Sequence, residues 1–476
     1  MIWKGTFLLL VGQILALLSG YGMNVFLARY LGPEEYGSFG VVHSILLMTE
    51  LCVIAGVPNA LKKFIGMNPK ISARLHRVLL PWQMGLGFVL GCLGFFLAPT
   101  ISHMMKDESI VFILQIAFID VVFFGLYWYY NGFLIGQRRF TQQTLMTSAY
   151  TISKFIFVVI LVLAGFAVGG AFVGNILGSI VGLTVGFLFM KYDKEDADIH
   201  NSDLIRFIIP SVIYSIGLNL FFYIDLWFVK YFTADETVGF YNAAATLGRI
   251  PYFFSTALSG AILPSLAYAI ANNKTDDSRR IVQQSLRVLF MVLLPAAIFV
   301  ISDATHLVRL LFGEEYLQSA RILRVLFLGM CGLTIFSVLN TISIARDGML
   351  VCGIMVIFGV LVDLGMNVTL VPRYGAQGAA MATTITMAVV MILSSSYVLK
   401  HFRAFINPKS LLRIVGVAVI ILLAALSFDA QNVLEAAIKV SVLGLLYVLL
   451  LRITGEITKD EFMRVQSAVL GFIGKR

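Results

Sequence analysis

Apolar runs long enough to cross a bilayer follow one another almost without interruption along this 476-residue chain. A helix needs about 20 apolar residues to span the hydrocarbon core. Fourteen such runs can be read, starting near residues 6, 36, 78, 109, 143 and 168, then 205, 238, 284, 322, 350 and 377, and finally 411 and 433. The connections are too short to hold a sizeable soluble domain. With 59% hydrophobic and only 13% charged residues, the chain carries more apolar surface than a soluble core can bury. Disorder is excluded, because its signature is low hydrophobicity. The expected fold class is an all-α polytopic membrane protein with 14 transmembrane helices. The first run, from about Thr6 to Ala28, is too long for the apolar part of a signal peptide. Cys52, Cys92, Cys331 and Cys352 lie within apolar runs and form no CxxC pair. Neither a disulfide framework nor a zinc site is indicated, and no metal or cofactor is expected.

Lys and Arg sort the two sides. Eight of the 35 fall on one side: Arg29, Lys106, Lys230, Arg309, Arg321, Arg324, Arg373 and Lys439. Lys154 and Arg249 lie within runs, and the other 25 fall on the opposite side with both termini. The expectation is a cytoplasmic (inner) cell membrane protein with both termini in the cytoplasm. The net charge of +9 is read as this loop bias, not as a nucleic-acid surface.

The chain repeats itself at an offset near 200 residues. ARYLGPEEYG (28–37) after the first run matches VKYFTADETVG (229–239) after the seventh. NGFLIGQR (131–138) matches NTISIARD (340–347). Gly170-Ala171-x-x-Gly174 matches Gly375-Ala376-x-Gly378-Ala379. Pro58 and Pro264 each close the second run of their half. Each half holds six runs, an even number, so both insert in the same orientation about an axis along the membrane normal. The expected domains are a six-helix lobe over 1–195, a pseudo-symmetric six-helix lobe over 205–401, two extra C-terminal helices over 410–453, and an amphipathic cytoplasmic tail over 456–476. The tail carries a Thr458-x-x-Glu461 capping box.

These residues also carry a resemblance. ARYLGPEEYG, Gly56-Val57-Pro58 and VKYFTADETVGFYNAA (229–244) resemble the polysaccharide/oligosaccharide flippase family of the multidrug/oligosaccharidyl-lipid/polysaccharide exporter superfamily. The resemblance covers essentially the whole chain. It implies two six-helix lobes around a central cavity and export of polyprenyl-diphosphate-linked oligosaccharides for surface polysaccharide assembly. Glycosyltransferases and a polysaccharide polymerase are the implied functional partners.

Ionisable groups at bilayer depth are costly and mark function or pairing. Arg249 shares a helical face with Asn242, Thr246 and Thr256, and Lys154 shares one with Thr147 and Thr151. Asp120 aligns with Tyr127 and Asn131, Glu50 with His43, and Asn24 with Gln13 and Gly20; Asp225, Asp363 and Asn367 mark the seventh and eleventh runs. The expected substrate-binding set is Arg249, Lys154, Asn242, Thr246, Asp120, Glu50, Asn24 and Asp225. Arg and Lys can match a diphosphate, Arg through a bidentate fork. The structural alternative pairs Asp120 with Lys154, or Asp225 with Arg249. Arg29 and Lys230 read as interfacial anchors, the run Tyr127–Tyr130 as an aromatic belt, and Gly174, Gly178, Gly182 and Gly186 as a helix-packing line.

The competing transporter reading is a drug/cation antiporter of the multidrug and toxic-compound extrusion type. Such a protein calls for a carboxylate-dominated cavity, which Lys154 and Arg249 oppose and Glu50, Asp120 and Asp363 favour. A membrane enzyme such as a polymerase or glycosyltransferase needs large aqueous loops with catalytic acids. The loops are too short, and no Walker or HExxH motif is present. With no nucleotide site, the energy has to come from a coupling ion (Na+ or H+), from the membrane potential, or from consumption of the product.

Overall fold

The computed structural model describes residues 2–191, 200–347, 349–428 and 430–457. The expected tail over 456–476 therefore lies, from residue 458 onward, outside the described residues. Among those described there is no strand. This follows from the medium: a backbone in hydrocarbon must satisfy its own N–H and C=O groups, which a helix does within one segment.

The helices are α1 (Ile2–Ile54), α2 (Val57–Met67), α3 (Ser72–Met104), α4 (Val111–Gly136), α5 (Phe140–Leu161), α6 (Ala167–Leu188), α7 (Asn201–Phe232), α8 (Asp235–Gly248), α9 (Ile250–Ala271), α10 (Thr275–Leu311), α11 (Ser319–Asp347), α12 (Met349–Phe402), α13 (Pro408–Ser427) and α14 (Val433–Ile453). Among the described residues, eleven stretches are long and apolar enough to cross a membrane. Three of them are broken within at a glycine of left-handed φ, Gly32 (φ 77°) in α1, Gly165 (φ 91°) between α5 and α6, and Gly375 (φ 57°) in α12, and a fourth, α10, is broken at Asp303 (φ −122°). The first break follows directly from LGPEE. Gly32 takes a left-handed φ that other residues disfavour, and Pro33 starts the next helix where its missing N–H costs nothing. Glu34 and Glu35 then sit in the first turn, where the helix dipole favours acids. Asp235 and Glu236 open α8 in the same way.

Contacts divide the chain into two compact units, Met1–Thr246 with Val356–Ala382, and Leu247–Met355 with Thr383–Arg476. In the first unit α6 lies hard against α5 along its glycine line. A Cβ on Gly174 would meet the Val158 nitrogen at 2.6 Å, and one on Gly178 would meet the Lys154 Cβ at 2.6 Å. The expected packing role of that line is what the structure has. Gln83, buried on α3, donates one amide to the carbonyls of Val53 (3.0 Å) and Gly125 (2.8 Å), tying α3 to α1 and α4. Tyr127, Tyr129 and Tyr130 belong to the buried core. They do not form the expected interfacial belt. Tyr129 meets His76 Nδ1 at 2.9 Å, and Tyr127 stacks on Tyr150 at 4.5 Å between ring centroids. In the second unit, Lys439 of α14 pairs with Asp303 of α10 at 3.0 Å, both nearly buried. Arg287 of α10 pairs with Glu456 just past α14 at 2.7 Å.

The sidedness read from Lys and Arg makes a direct prediction. Met67 and Glu34 are both exposed in the structure. A cysteine replacing Met67 should react with an impermeant maleimide only from the cytoplasmic side, and one replacing Glu34 only from outside. The reverse pattern would invert the topology.

Candidate functional site

The expected site residues of the first unit fall into three polar clusters. The first joins Glu50 on α1, Asp120 on α4 and Lys154 on α5, which interact electrostatically with one another. Glu50 and Asp120 are buried, and Asn175 of α6 donates its amide to Asp120. Ser179, one helical turn further, lies beside the same carboxylate. Lys154 Nζ reaches the Tyr150 hydroxyl at 3.4 Å. Glu50 Oε1 and Asp120 Oδ1 are buried without a hydrogen-bond partner. Two carboxylates against one ammonium leave a formal excess of one negative charge, which is costly at this depth. Lys154 and Asp120 influence each other electrostatically, while the hydrogen bonds run from Lys154 to Tyr150 and from Asn175 to Asp120. The neighbouring polar face is separate: Thr147 Oγ1 lies 3.3 Å from the Asn131 amide and 3.0 Å from that of Gln143.

The second cluster gathers Asn24, Asn242 and Thr246 around Tyr36, the tyrosine of the repeat motif. Its hydroxyl donates to Asn24 Oδ1 at 3.0 Å and lies 3.2 Å from Thr246 Oγ1. The Asn242 amide donates to the Tyr36 carbonyl at 3.2 Å. Beside it the two copies of the motif touch. A Cβ on Gly37 would stand 2.8 Å from the Gly239 nitrogen, and a Cβ on Gly239 would collide with the Pro33 carbonyl. Only glycine permits this approach of α8 to α1.

The third cluster holds Asp225. Its Oδ2 accepts from Tyr241 at 2.8 Å and its Oδ1 from the Asn367 amide at 2.8 Å. The same amide reaches the Asp363 carbonyl at 3.0 Å, and all three side chains are buried. Arg249 belongs to the second unit. It is half-buried at the junction where α8 ends at Gly248 and α9 begins at Ile250.

Sequence reasoning missed Asn175, Ser179 and Tyr36. The first two follow Gly174 and Gly178 directly, and an amide and a hydroxyl in so apolar a helix were the available signal. It also misplaced Lys230, which is 4% exposed and not a snorkelling anchor. Lys230 pairs with Asp107 at 2.6 Å and with Asp235, tying the α3–α4 connection to the start of α8. Burial pushes the Asp107 carboxyl up, but hydrogen bonds from Lys230 and Ser109 and the lysine charge outweigh it and hold the group below its usual value. The clamp's contribution to stability is thus fully present above the unfolded carboxylate range, about pH 4, and is lost as pH falls through the lower folded value. Wild type should melt above Lys230→Met at neutral pH by a margin that stays constant down to about pH 5 and shrinks below about pH 4. A margin independent of pH would contradict this.

Comparison with known proteins places the chain. A family model described as "Polysaccharide biosynthesis protein" matches residues 2–270, and a second, MatE, matches residues 210–369. The chain belongs to the polysaccharide biosynthesis protein family, within the multidrug/oligosaccharidyl-lipid/polysaccharide exporter superfamily. It is 23% identical over 193 residues to a probable low-salt glycan biosynthesis flippase, Agl15, of Haloferax volcanii, a match covering 39% of this chain and 40% of that protein. It is 22% identical over 399 residues to an uncharacterised membrane protein of Methanocaldococcus jannaschii, covering 78% of this chain and 92% of that one. Among solved structures, the lipid II flippase MurJ in an inward closed conformation superposes with a TM-score of 0.76 at 16% identity, over 94% of this chain and 98% of that one. An inward-facing multidrug resistance MATE family transporter superposes at 0.70 with 14% identity, over 82% and 94%. The fold is that of these transporters, and the protein is a many-span membrane transporter.

Proposed function

We propose that this transporter is a flippase that moves polyprenyl-diphosphate-linked oligosaccharide across the cytoplasmic membrane by alternating access, for surface polysaccharide biosynthesis. The observation that carries the proposal is the meeting of the two motif copies at Gly37 and Gly239 in a chain of the polysaccharide biosynthesis family. Two like-oriented repeats that touch through glycines can close one end of a path, and parting them breaks the bonds of Tyr36 with Thr246 and Asn242 and the Lys230–Asp107 pair. The lobes of that cycle are the repeats over 1–195 and 205–401. Arg249 is the group that takes the diphosphate, with its planar fork across two phosphate oxygens. Asn24, Asn242, Thr246 and Tyr36 offer the amide and hydroxyl chemistry that sugars need. Lys154 is already matched by Glu50 and Asp120 and serves the substrate less directly. The Asp225–Asp363–Asn367 cluster supplies carboxylate and amide oxygens suited to a coupling Na+ or H+.

A second reading has a specific basis. The MatE match over 210–369 and the buried acids Glu50, Asp120, Asp225 and Asp363 suit a drug/cation antiporter. Binding separates the two. Purified protein should be stabilised against heat by an isoprenyl-diphosphate-linked disaccharide, and the shift should vanish in Arg249→Ala. Stabilisation by a lipophilic cation such as ethidium, with none by the diphosphate lipid, would favour the antiporter.

A further inference from the structure

The second unit carries a basic crevice that the transport reading does not use. It lies where four helices end together: α9 and its connection to α10, the first turn of α10, the last turn of α11 and the end of α12. Its volume is about 440 Å³. Lys274, Arg279, Arg346, His401 and Arg403 line it, and no carboxylate is among the described lining residues. Asp276 approaches Arg279 at 3.6 Å, but its side chain is 94% exposed, so that pair does little to neutralise the crevice.

The walls are built, not incidental. Arg346 Nη1 donates to the His401 carbonyl at 2.7 Å, joining α11 to α12, and its guanidinium lies 5.9 Å from the Phe402 ring centre. His401 Nδ1 faces the Tyr397 carbonyl at 2.9 Å, so that nitrogen carries the proton. Two rim residues other than glycine hold left-handed backbone, Asn273 (φ 55°) and Arg403 (φ 48°). Each such residue costs energy that the surroundings must offset. Four helix ends bring like charges together around a partly apolar floor that includes Phe402. That arrangement is unfavourable empty and favourable around an anion.

Depth selects the ligand. All four helices are long and apolar enough to cross the membrane, so a crevice at their ends lies at headgroup level. We propose that this crevice binds the phosphate of an anionic phospholipid headgroup. The basic groups hold the phosphodiester oxygens, and the apolar floor takes the start of the glyceryl ester. The sequence assigns this side to the cytoplasm. The proposal is independent of what the protein transports.

The test uses the full chain in phosphatidylcholine nanodiscs titrated with phosphatidylglycerol, read by retained lipid in native mass spectrometry and by melting temperature. Phosphatidylglycerol should be retained over phosphatidylcholine and should raise the melting temperature. Lys274→Gln with Arg403→Asn should weaken that preference by about fivefold per charge, roughly 25-fold together. Asparagine is chosen because it tolerates left-handed backbone. Arg346→Lys should keep most of the preference, and Lys62→Gln with Lys63→Gln in the other unit should leave it intact. Equal retention of both lipids by wild type, or unchanged preference in the double variant, would overturn the proposal. Stabilisation by millimolar inorganic phosphate in pure phosphatidylcholine discs, lost in the double variant, would overturn the lipid assignment in favour of a free anion.

Discussion

Arg249→Ala is expected to abolish glycan export while leaving the protein inserted and abundant. A guanidinium that engages a diphosphate makes two charge-assisted hydrogen bonds, each worth about 1.5–3 kcal/mol. Losing both should weaken substrate binding by at least about 100-fold. Arg249→Lys keeps the charge but loses the planar fork, so part of the activity should return. If Arg249 instead serves the fold by pairing with Asp225, Arg249→Ala would lower abundance, and removing Asp225 as well would restore abundance and export together. Quantitative immunoblotting of membranes alongside export of labelled glycan separates the two outcomes.

Lys154→Met is expected to fail in the opposite way. It should remove protein from the membrane before transport can be measured. Glu50 and Asp120 are buried, and Lys154 is the cation that offsets them. Without it, two carboxylates face each other across α1 and α4 with no counter-charge. Leaving a buried charge without its compensating charge costs about 3 kcal/mol, a large part of a typical folding margin. Adding Asp120→Asn restores the original formal excess of one negative charge and should recover most of the abundance. Full abundance of Lys154→Met alone, read by fluorescence-detected size-exclusion chromatography, would show that the lysine is not the compensating charge.

What the sequence disclosed and what it hid divide along a physical line. The all-helical membrane-spanning class, the break at LGPEEYG and the packing role of the Gly174–Gly186 line were legible. Each depends on local chemistry: apolar length, a glycine's φ, a proline's missing N–H, a missing Cβ. Burial within the bundle was not legible, because lipid and protein interior are equally apolar. Tyr127, Tyr129 and Tyr130 therefore read as a belt and turned out to be core. Lys230 read as an anchor at the end of a helix, yet its partner Asp107 lies 123 residues away in sequence. The polar residues proposed for the site were picked out one at a time by their depth. Their grouping around Tyr36, around Asp120 and Asn175, and around Asp225 and Asn367 depends on contacts between distant segments that no periodicity encodes.

Movement of a lipid-linked sugar is tested most directly by a protection assay in sealed proteoliposomes. A fluorescent polyprenyl-diphosphate disaccharide is placed in the outer leaflet, and the fraction shielded from an impermeant glycosidase added outside is followed with time. With the wild-type protein the shielded fraction should rise, and with Arg249→Ala it should stay at the level of protein-free vesicles. No rise above protein-free vesicles, together with exchange of a cationic drug against Na+ or H+ in the same preparation, would contradict the flippase and establish the antiporter.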